Sequence, residues 1–258
     1  MPFQKIQPQK LAEAVDHQIE ELILQGILRP GARLPAERDL AERLGVSRPS
    51  LREAIASLQR KGLLESKAGS GIFVTEVLGS AFSAALVTLF AGHDRAVLDY
   101  VSFRRDMEGL AAERAALDGS DTDLQVIDAI FKKMEIAHTN DQDARAAELD
   151  AEFHLSIMEA SHNVVMLHMM RSMFDLLQQG VFYNRRTMFQ HGTMSDTMLE
   201  QHRSINQALQ SRDAQAARAA CEAHMEYVSS CLLSQKRRDE NESIAQLRLS
   251  NEVSDLPD

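Results

Sequence analysis

The first part of the chain carries apolar side chains at helical spacing, broken by glycine and proline. Leu11, Val15, Ile19, Leu22 and Ile23 recur every three or four residues, which predicts a helix, and Gly26 follows as a left-handed cap. Pro30, Gly31 and Pro35 mark a turn, and a short helix then runs from about Ala36 to Leu44, closed by Gly45. Ser47 is placed to cap the next helix. Pro49 is tolerated in its first turn, where the amides have no intrahelical partner. Leu51, Ile55 and Leu58 form the inner face of that helix, and Gly62 ends it. In "LLESKAGSGIFVT" two short apolar runs, Leu63 to Leu64 and Ile72 to Val74, flank a glycine-containing loop, the pattern of a β-hairpin.

Beyond Val77 the strand-like alternation disappears, and Ala, Leu, Met, Glu, Gln and Arg dominate. Six helices are expected, near 80–91, 95–117, 122–138, 142–161, 163–190 and 195–210, with a seventh from 213 to about 238. From Asp239 the chain is polar and ends in Pro257, a composition expected to be disordered. The expected fold is mostly α: an N-terminal winged helix-turn-helix of three helices plus a β-hairpin wing over residues 1–76, an all-α antiparallel bundle of six to seven helices over 77–238, and a tail over 239–258.

With 258 residues, 44% of them apolar, the chain can bury a substantial core. Its longest uncharged run, Val77 to His93, is interrupted by Gly79, Ser80, Ser83 and Thr88 and falls short of the roughly 20 apolar residues of a membrane helix. The N-terminus lacks the apolar core of a secretory signal, so a cytoplasmic protein without membrane association is expected. Cys221 and Cys231 lie ten residues apart in one expected helix, about 15 Å along its axis, too far for a disulfide. Net charge is −10, yet residues 1–76 hold 11 Lys and Arg against 10 Asp and Glu, and the remainder 17 against 28. A weakly basic module joined to an acidic one is the pattern expected when only the first approaches phosphate.

Two helices joined by a short turn containing Gly, with arginines on the second, form a helix-turn-helix. Arg48 begins the second helix, Arg52 follows one turn later, and Arg38 starts the preceding helix. Arginine pairs with guanine O6 and N7 or clamps a phosphate. On helix pattern alone, a solvated face paired with Glu37, Asp39, Glu42 and Glu53 fits as well. The hairpin tip, with Lys67, Gly69 and Gly71, is narrow enough to enter a minor groove and shifts the balance to DNA. "LPAERDLAERLGVSRPSLREAIASLQRKGLL" followed by "GSGIFV" closely resembles the winged-helix domain of the GntR superfamily of bacterial transcription regulators. The resemblance implies operator contacts at Arg38, Ser47, Arg48 and Arg52, with the wing glycine on Gly69. Pro49 and Lys67 complete the candidate DNA-binding set. Half-sites one helical turn apart require two copies, hence a homodimer on double-stranded operator DNA.

"LDAEFHLSIMEASHN" places Asp150 and His154 on one helix face, one turn apart, while His202 and His224 lie on separate expected helices among apolar neighbours. A bundle can bring such residues together; three imidazoles and a carboxylate suit Zn2+, Ni2+ or Mn2+. Spacing alone leaves ordinary core or surface histidines as the alternative, since nine are present. The acidic helical region resembles the ligand-binding (FCD) domain of the FadR subgroup. Its metal-binding members carry Asp-x-x-x-His on one helix and single histidines on two later ones, which implies a divalent metal, most readily Zn2+, at Asp150, His154, His202 and His224. In "YVSFRRDMEGLAAERAA" the subgroup's Arg-x-x-x-Glu falls on Arg104, implied to hold an effector carboxylate; a surface arginine paired with Asp106 or Glu108 is the alternative. "EASHNVVMLHMMRSMFDLLQQGVF" looks most like regulators responding to lactate, glycolate or pyruvate. Met158, Met166, Met169, Met170 and Met173 fit as adaptable core. Two further functions are a fatty acyl-CoA sensor of the same family and a metallohydrolase with a DNA-binding appendage. HExxH, Gly-x-Ser-x-Gly and GxxxxGK[ST] are all absent, so no enzyme is expected.

Overall fold

A computed structural model of the chain describes residues 8–75, 84–91, 93–178 and 192–254. Their elements are α1 (Pro8–Leu24), α2 (Glu37–Leu44), α3 (Arg48–Arg60), β1 (Leu64–Lys67), β2 (Gly71–Val74), α4 (Ala84–Ala91), α5 (Asp94–Asp118), α6 (Asp121–Thr139), α7 (Asp143–Ala160), α8 (Val164–Gln178), α9 (Gly192–Gln210) and α10 (Ala214–Ser254). The protein is mostly helical, as expected. Residues 80–83 and 179–190 of the expected helices, and His191, lie outside the described residues. No helix among the described residues is long and apolar enough to cross a membrane.

The described residues fall into two compact units. In the first, α1 to α3 pack Val15, Ile19, Ile23, Leu51, Ile55 and Leu58 into one core, closed by Leu64 and Val74 of the hairpin. β1 and β2 are antiparallel with Leu64 opposite Val74 and Lys67 opposite Gly71. The segment after α1 is tied to β2 by an isolated bridge, Arg33 opposite Phe73, with Leu34 N donating to Ile72 O and Val74 N to Ala32 O, both at 2.9 Å. Glycines set the helix ends: Gly26, Gly45 and Gly62 have φ of 74°, 65° and 75°, where a Cβ would crowd the carbonyl. Leu51 has no exposed surface, so Leu51→Ala is expected to cost about 2–5 kcal/mol, read as a lower urea midpoint for this unit.

The first unit also includes α8, although α8 lies late in the chain. His168 Nε2 lies 2.8 Å from Leu24 O at the end of α1, and a Cβ on Gly26 would meet Arg171 Nη2 at 2.8 Å and Leu167 Cδ2 at 3.1 Å. Of the α7 and α8 methionines, Met158 and Met170 are buried and Met169 is exposed.

The second unit is helical, with α5 packed against α10 and α7, and α6 against α7 and α9. Ser120 starts α6 with a reciprocal cap: its Oγ accepts from Asp123 N at 3.1 Å, and its own N–H donates to Asp123 Oδ2 at 2.8 Å. Asn206 of α9 donates to Asp128 of α6 at 3.0 Å. Cys221 and Cys231 are buried and unbridged. The expected disordered tail differs from what is found: α10 continues through Asp239 to Ser254. Its polar residues are also good helix formers, and Gln235 with Asp239, Lys236 with Glu240 and Gln246 with Glu242 interact one turn apart.

Candidate functional site

Polar side chains gather at two places where packing alone does not call for them. The first is the outer side of α3 with the hairpin tip. Ser47 Oγ accepts from Ser50 N at 3.3 Å and so caps α3, leaving Arg48 and Pro49 as its first residues. Ser47, Arg48, Pro49 and Arg52 are all exposed. Arg48 Nε donates to Glu37 Oε1 and Arg52 Nε to Glu37 Oε2, each at 2.8 Å. One carboxylate on α2 therefore holds both guanidinium groups, and the bonds from Arg52 and Arg48 keep the Glu37 carboxyl below its usual range. Arg38 is exposed beside them and reaches Asp39 at 3.4 Å. At the wing, Lys67 pairs with Glu65 at 3.1 Å and lies 4.9 Å from the Phe73 ring centroid, while Gly69, at φ 72°, has open space on its Cβ side. Arg60 is exposed at the far end of α3.

The pairing of Arg48 and Arg52 with Glu37 is the solvated-face arrangement that the sequence leaves open. Exposed ion pairs are weak because solvent screens them, so they exchange readily for phosphate or base contacts and do not oppose DNA binding.

The second place is inside the helical unit. Asp150 and His154 of α7, His202 of α9 and His224 of α10 are all buried, and each offers a ligand atom within 4.8 Å of the others. His202 Nε2 lies 3.0 Å from Asp150 Oδ1 and 3.2 Å from His154 Nε2; His154 Nε2 lies 3.8 Å from Asp150 Oδ1. Phe153 walls the cluster, its ring centroid 5.4 Å from that of His202 and 5.8 Å from that of His154.

Two of the ring nitrogens facing away from the cluster also have neighbours. His224 Nδ1 is 3.0 Å from Gln201 Oε1, and His154 Nδ1 is 2.6 Å from Glu108 Oε2. Protons on both Nδ1 atoms leave both Nε2 atoms as lone-pair donors. Burial, reinforced by His202 and His154, pushes His224 well below its ordinary value and keeps it neutral. The donor set fits a divalent cation: two nitrogens on one tetrahedral Zn2+, each at about 2.0–2.1 Å, would stand about 3.3 Å apart. The observed 3.2 Å between the His154 and His202 nitrogens matches that spacing.

Arg104 and Glu108 of α5 complete the neighbourhood, each with 1% of its side chain exposed. Arg104 Nε donates to Glu108 Oε1 at 2.5 Å, whereas Arg105 is only half-buried and donates to Asp106. Of the two adjacent arginines, it is Arg104 that points inward, and it has the Glu108 partner that the sequence offered as the alternative. Burial pushes the Glu108 carboxyl up, but Arg104 and His154 outweigh it and hold the group down to about 2. Cys221 sits at the edge, its sulfur within 4.8 Å of ligand atoms of Glu108 and His154; burial, then Glu108, raises its thiol well above the usual range. Sequence reasoning missed Gln201 and the contact of Glu108 with His154. The Arg-x-x-x-Glu spacing was the only trace of the second.

A winged helix-turn-helix bearing exposed arginines, together with a helical unit enclosing a carboxylate and three imidazoles, defines a transcription regulator with a sensory domain. Residues 11–74 match the gntR family of bacterial regulatory proteins and residues 99–227 match the FCD domain. The chain belongs to the GntR family, in its FadR-type subgroup with an FCD domain. It is 36% identical over 240 residues to the L-lactate dehydrogenase operon regulatory protein of Escherichia coli K12, covering 92% of this chain and 90% of that one. It is 33% identical over 221 residues to the Glc operon transcriptional activator of the same strain, covering 84% and 87%. Among solved structures, Streptococcus agalactiae GntR superposes with a TM-score of 0.52 at 30% identity, covering 85% of this chain and 99% of that one. Regulators of this family bind DNA operators, and FCD domains bind small-molecule effectors.

Proposed function

We propose that the protein is a metabolite-responsive repressor. As a homodimer it binds a palindromic operator through residues 1–76, and a small 2-hydroxy or 2-oxo carboxylate bound in residues 77–238 controls its affinity. The observation that carries this is the convergence of Asp150, His154, His202 and His224 next to a buried arginine, reached through Glu108. These four residues would hold a divalent cation, with Zn2+ favoured by three imidazoles and Ni2+ or Mn2+ as the other candidates. When bound, the cation supplies a positive centre that a carboxylate and its adjacent oxygen can chelate.

Arg104 would pair with the acid's carboxylate, because a planar guanidinium presents parallel donors to it. The buried, polar character of the cluster suits a compact acid better than an acyl chain, which needs an extended apolar cavity. The relatives named for an L-lactate dehydrogenase operon and a Glc operon favour lactate, glycolate and pyruvate as the first acids to test. On the DNA side, Arg38, Ser47, Arg48, Pro49, Arg52, Lys67 and Gly69 would meet the operator. The acid acts only through a difference in its affinity for the DNA-competent and released states.

Metal removal tests the sensory half. The purified protein is expected to carry one divalent ion per chain by elemental mass spectrometry. Calorimetry should show binding of at least one of L-lactate, glycolate and pyruvate, lost after chelator dialysis and restored by Zn2+. Equal acid binding by stripped and loaded protein would contradict the proposal.

A further inference from the structure

Glu108 uses its two oxygens on two different residues of the proposed site. Oε1 accepts from Arg104 Nε at 2.5 Å, and Oε2 lies 2.6 Å from His154 Nδ1. Arg104 points an N–H group at it, and His154 presents a ring nitrogen within hydrogen-bonding reach; with a proton on that nitrogen, the position needs two acceptors and no donor. A carboxylate meets that requirement and an amide does not, because an amide offers one acceptor oxygen and a nitrogen that is itself a donor. His224 supplies the contrast within the same cluster: its Nδ1 faces a single partner, and there the amide of Gln201 suffices at 3.0 Å. Glu108 is fully enclosed, and a buried carboxylate persists only when paired on all sides. It meets the His154 ring at Nδ1, the nitrogen opposite the Nε2 that faces Asp150 and His202.

We infer that Glu108 is a positioning residue: one carboxylate locks His154 in its Nδ1–H tautomer, so that Nε2 faces the metal position, and at the same time orients Arg104 for the acid. The inference rests on the proposed metal site, and it joins the two halves of that site through one side chain. Carboxylates behind metal-bound histidines typically carry a 10–100-fold effect on metal affinity.

The test reads zinc alone and the ring itself, in full-length protein. With 15N-labelled histidine in metal-free protein, the His154 ring is expected as the Nδ1–H tautomer; in Glu108→Gln the two tautomers should mix, because Arg104 and His154 compete for one oxygen. Competition with a chromophoric chelator should show Zn2+ bound about 10–100-fold more weakly by Glu108→Gln. Two charge-balanced double variants keep the interior neutral if that single change disturbs folding. Arg104→Met with Glu108→Gln frees the amide oxygen for His154, and should restore both the tautomer and zinc affinity to within a few-fold of the parent. Arg104→Met with Glu108→Leu should stay weak. Equal zinc affinity in the two double variants, or an unchanged tautomer in Glu108→Gln, would mean that Glu108 only neutralises Arg104 and would overturn the inference. His154→Ala separates this from the metal site itself: zinc retained there removes the site, whereas zinc lost there but held normally by Glu108→Gln removes only the role of Glu108.

Discussion

Arg52→Ala is expected to abolish operator binding at concentrations where the parent protein saturates it. A guanidinium paired with a base edge contributes about 1–3 kcal/mol of discrimination. The proposed homodimer on two half-sites loses that contact twice, about 2–6 kcal/mol in all, which corresponds to roughly 30-fold to 20,000-fold in affinity. Stability should hardly change. Arg52 is 62% exposed, and its partner Glu37 keeps Arg48, so the variant gives up one surface ion pair on a helix whose inner face is untouched. The check pairs fluorescence anisotropy on DNA from upstream of the protein's own gene with a urea unfolding curve. Normal DNA binding by a folded variant would remove α3 from the operator contact.

The second large effect is expected from His202→Ala. This side chain is wholly buried, its Nε2 lying 3.0 Å from Asp150 and 3.2 Å from His154, so it stands at the centre of the cluster. Removing it takes away one of four candidate ligands. Because disturbing only a residue behind a ligand costs about 10–100-fold in metal affinity, loss of the ligand should exceed that. Metal content after dialysis should fall from one ion per chain to near zero, and the acid should no longer alter DNA binding, while operator binding without acid persists. The metal-free variant should also be less stable by about 1–3 kcal/mol, since Asp150 loses its neighbour in a buried setting. Full metal content with a normal acid response would place the site elsewhere.

The two units differ in how far the sequence reveals them. In α3 nearly everything is local: Ser47 caps it, Leu51, Ile55 and Leu58 repeat at helical spacing, and the arginines fall on the remaining faces. The hairpin follows from two apolar runs around a glycine turn. The buried cluster is legible only in its first half, because Asp150 and His154 are one turn apart, whereas His202 and His224 enter through the family resemblance. Their approach depends on how α7, α9 and α10 cross, and no spacing along the chain encodes that.

The same limit hides Gln201 behind His224 and Glu108 behind His154. Each pairing joins residues of different helices, and Arg-x-x-x-Glu shows only the half of it that stays within α5. The placement of α8 against the end of α1 is likewise a tertiary fact, made by His168, Leu167 and Arg171 at a glycine that has no side chain to announce it. The segment after Asp239 was ambiguous for another reason. Glu, Gln, Lys and Arg mark both solvated chain and good helix, and one-turn pairs such as Lys236 with Glu240 favour the helix.

The central claim is that a small acid held at the buried cluster controls DNA affinity. Its most direct test is fluorescence anisotropy of the zinc-loaded protein on DNA from upstream of its own gene, titrated separately with L-lactate, glycolate and pyruvate. Release from the DNA by at least one of the three, at sub-millimolar to millimolar concentration, is the expected result. Tight DNA binding that none of the three acids alters would contradict the claim.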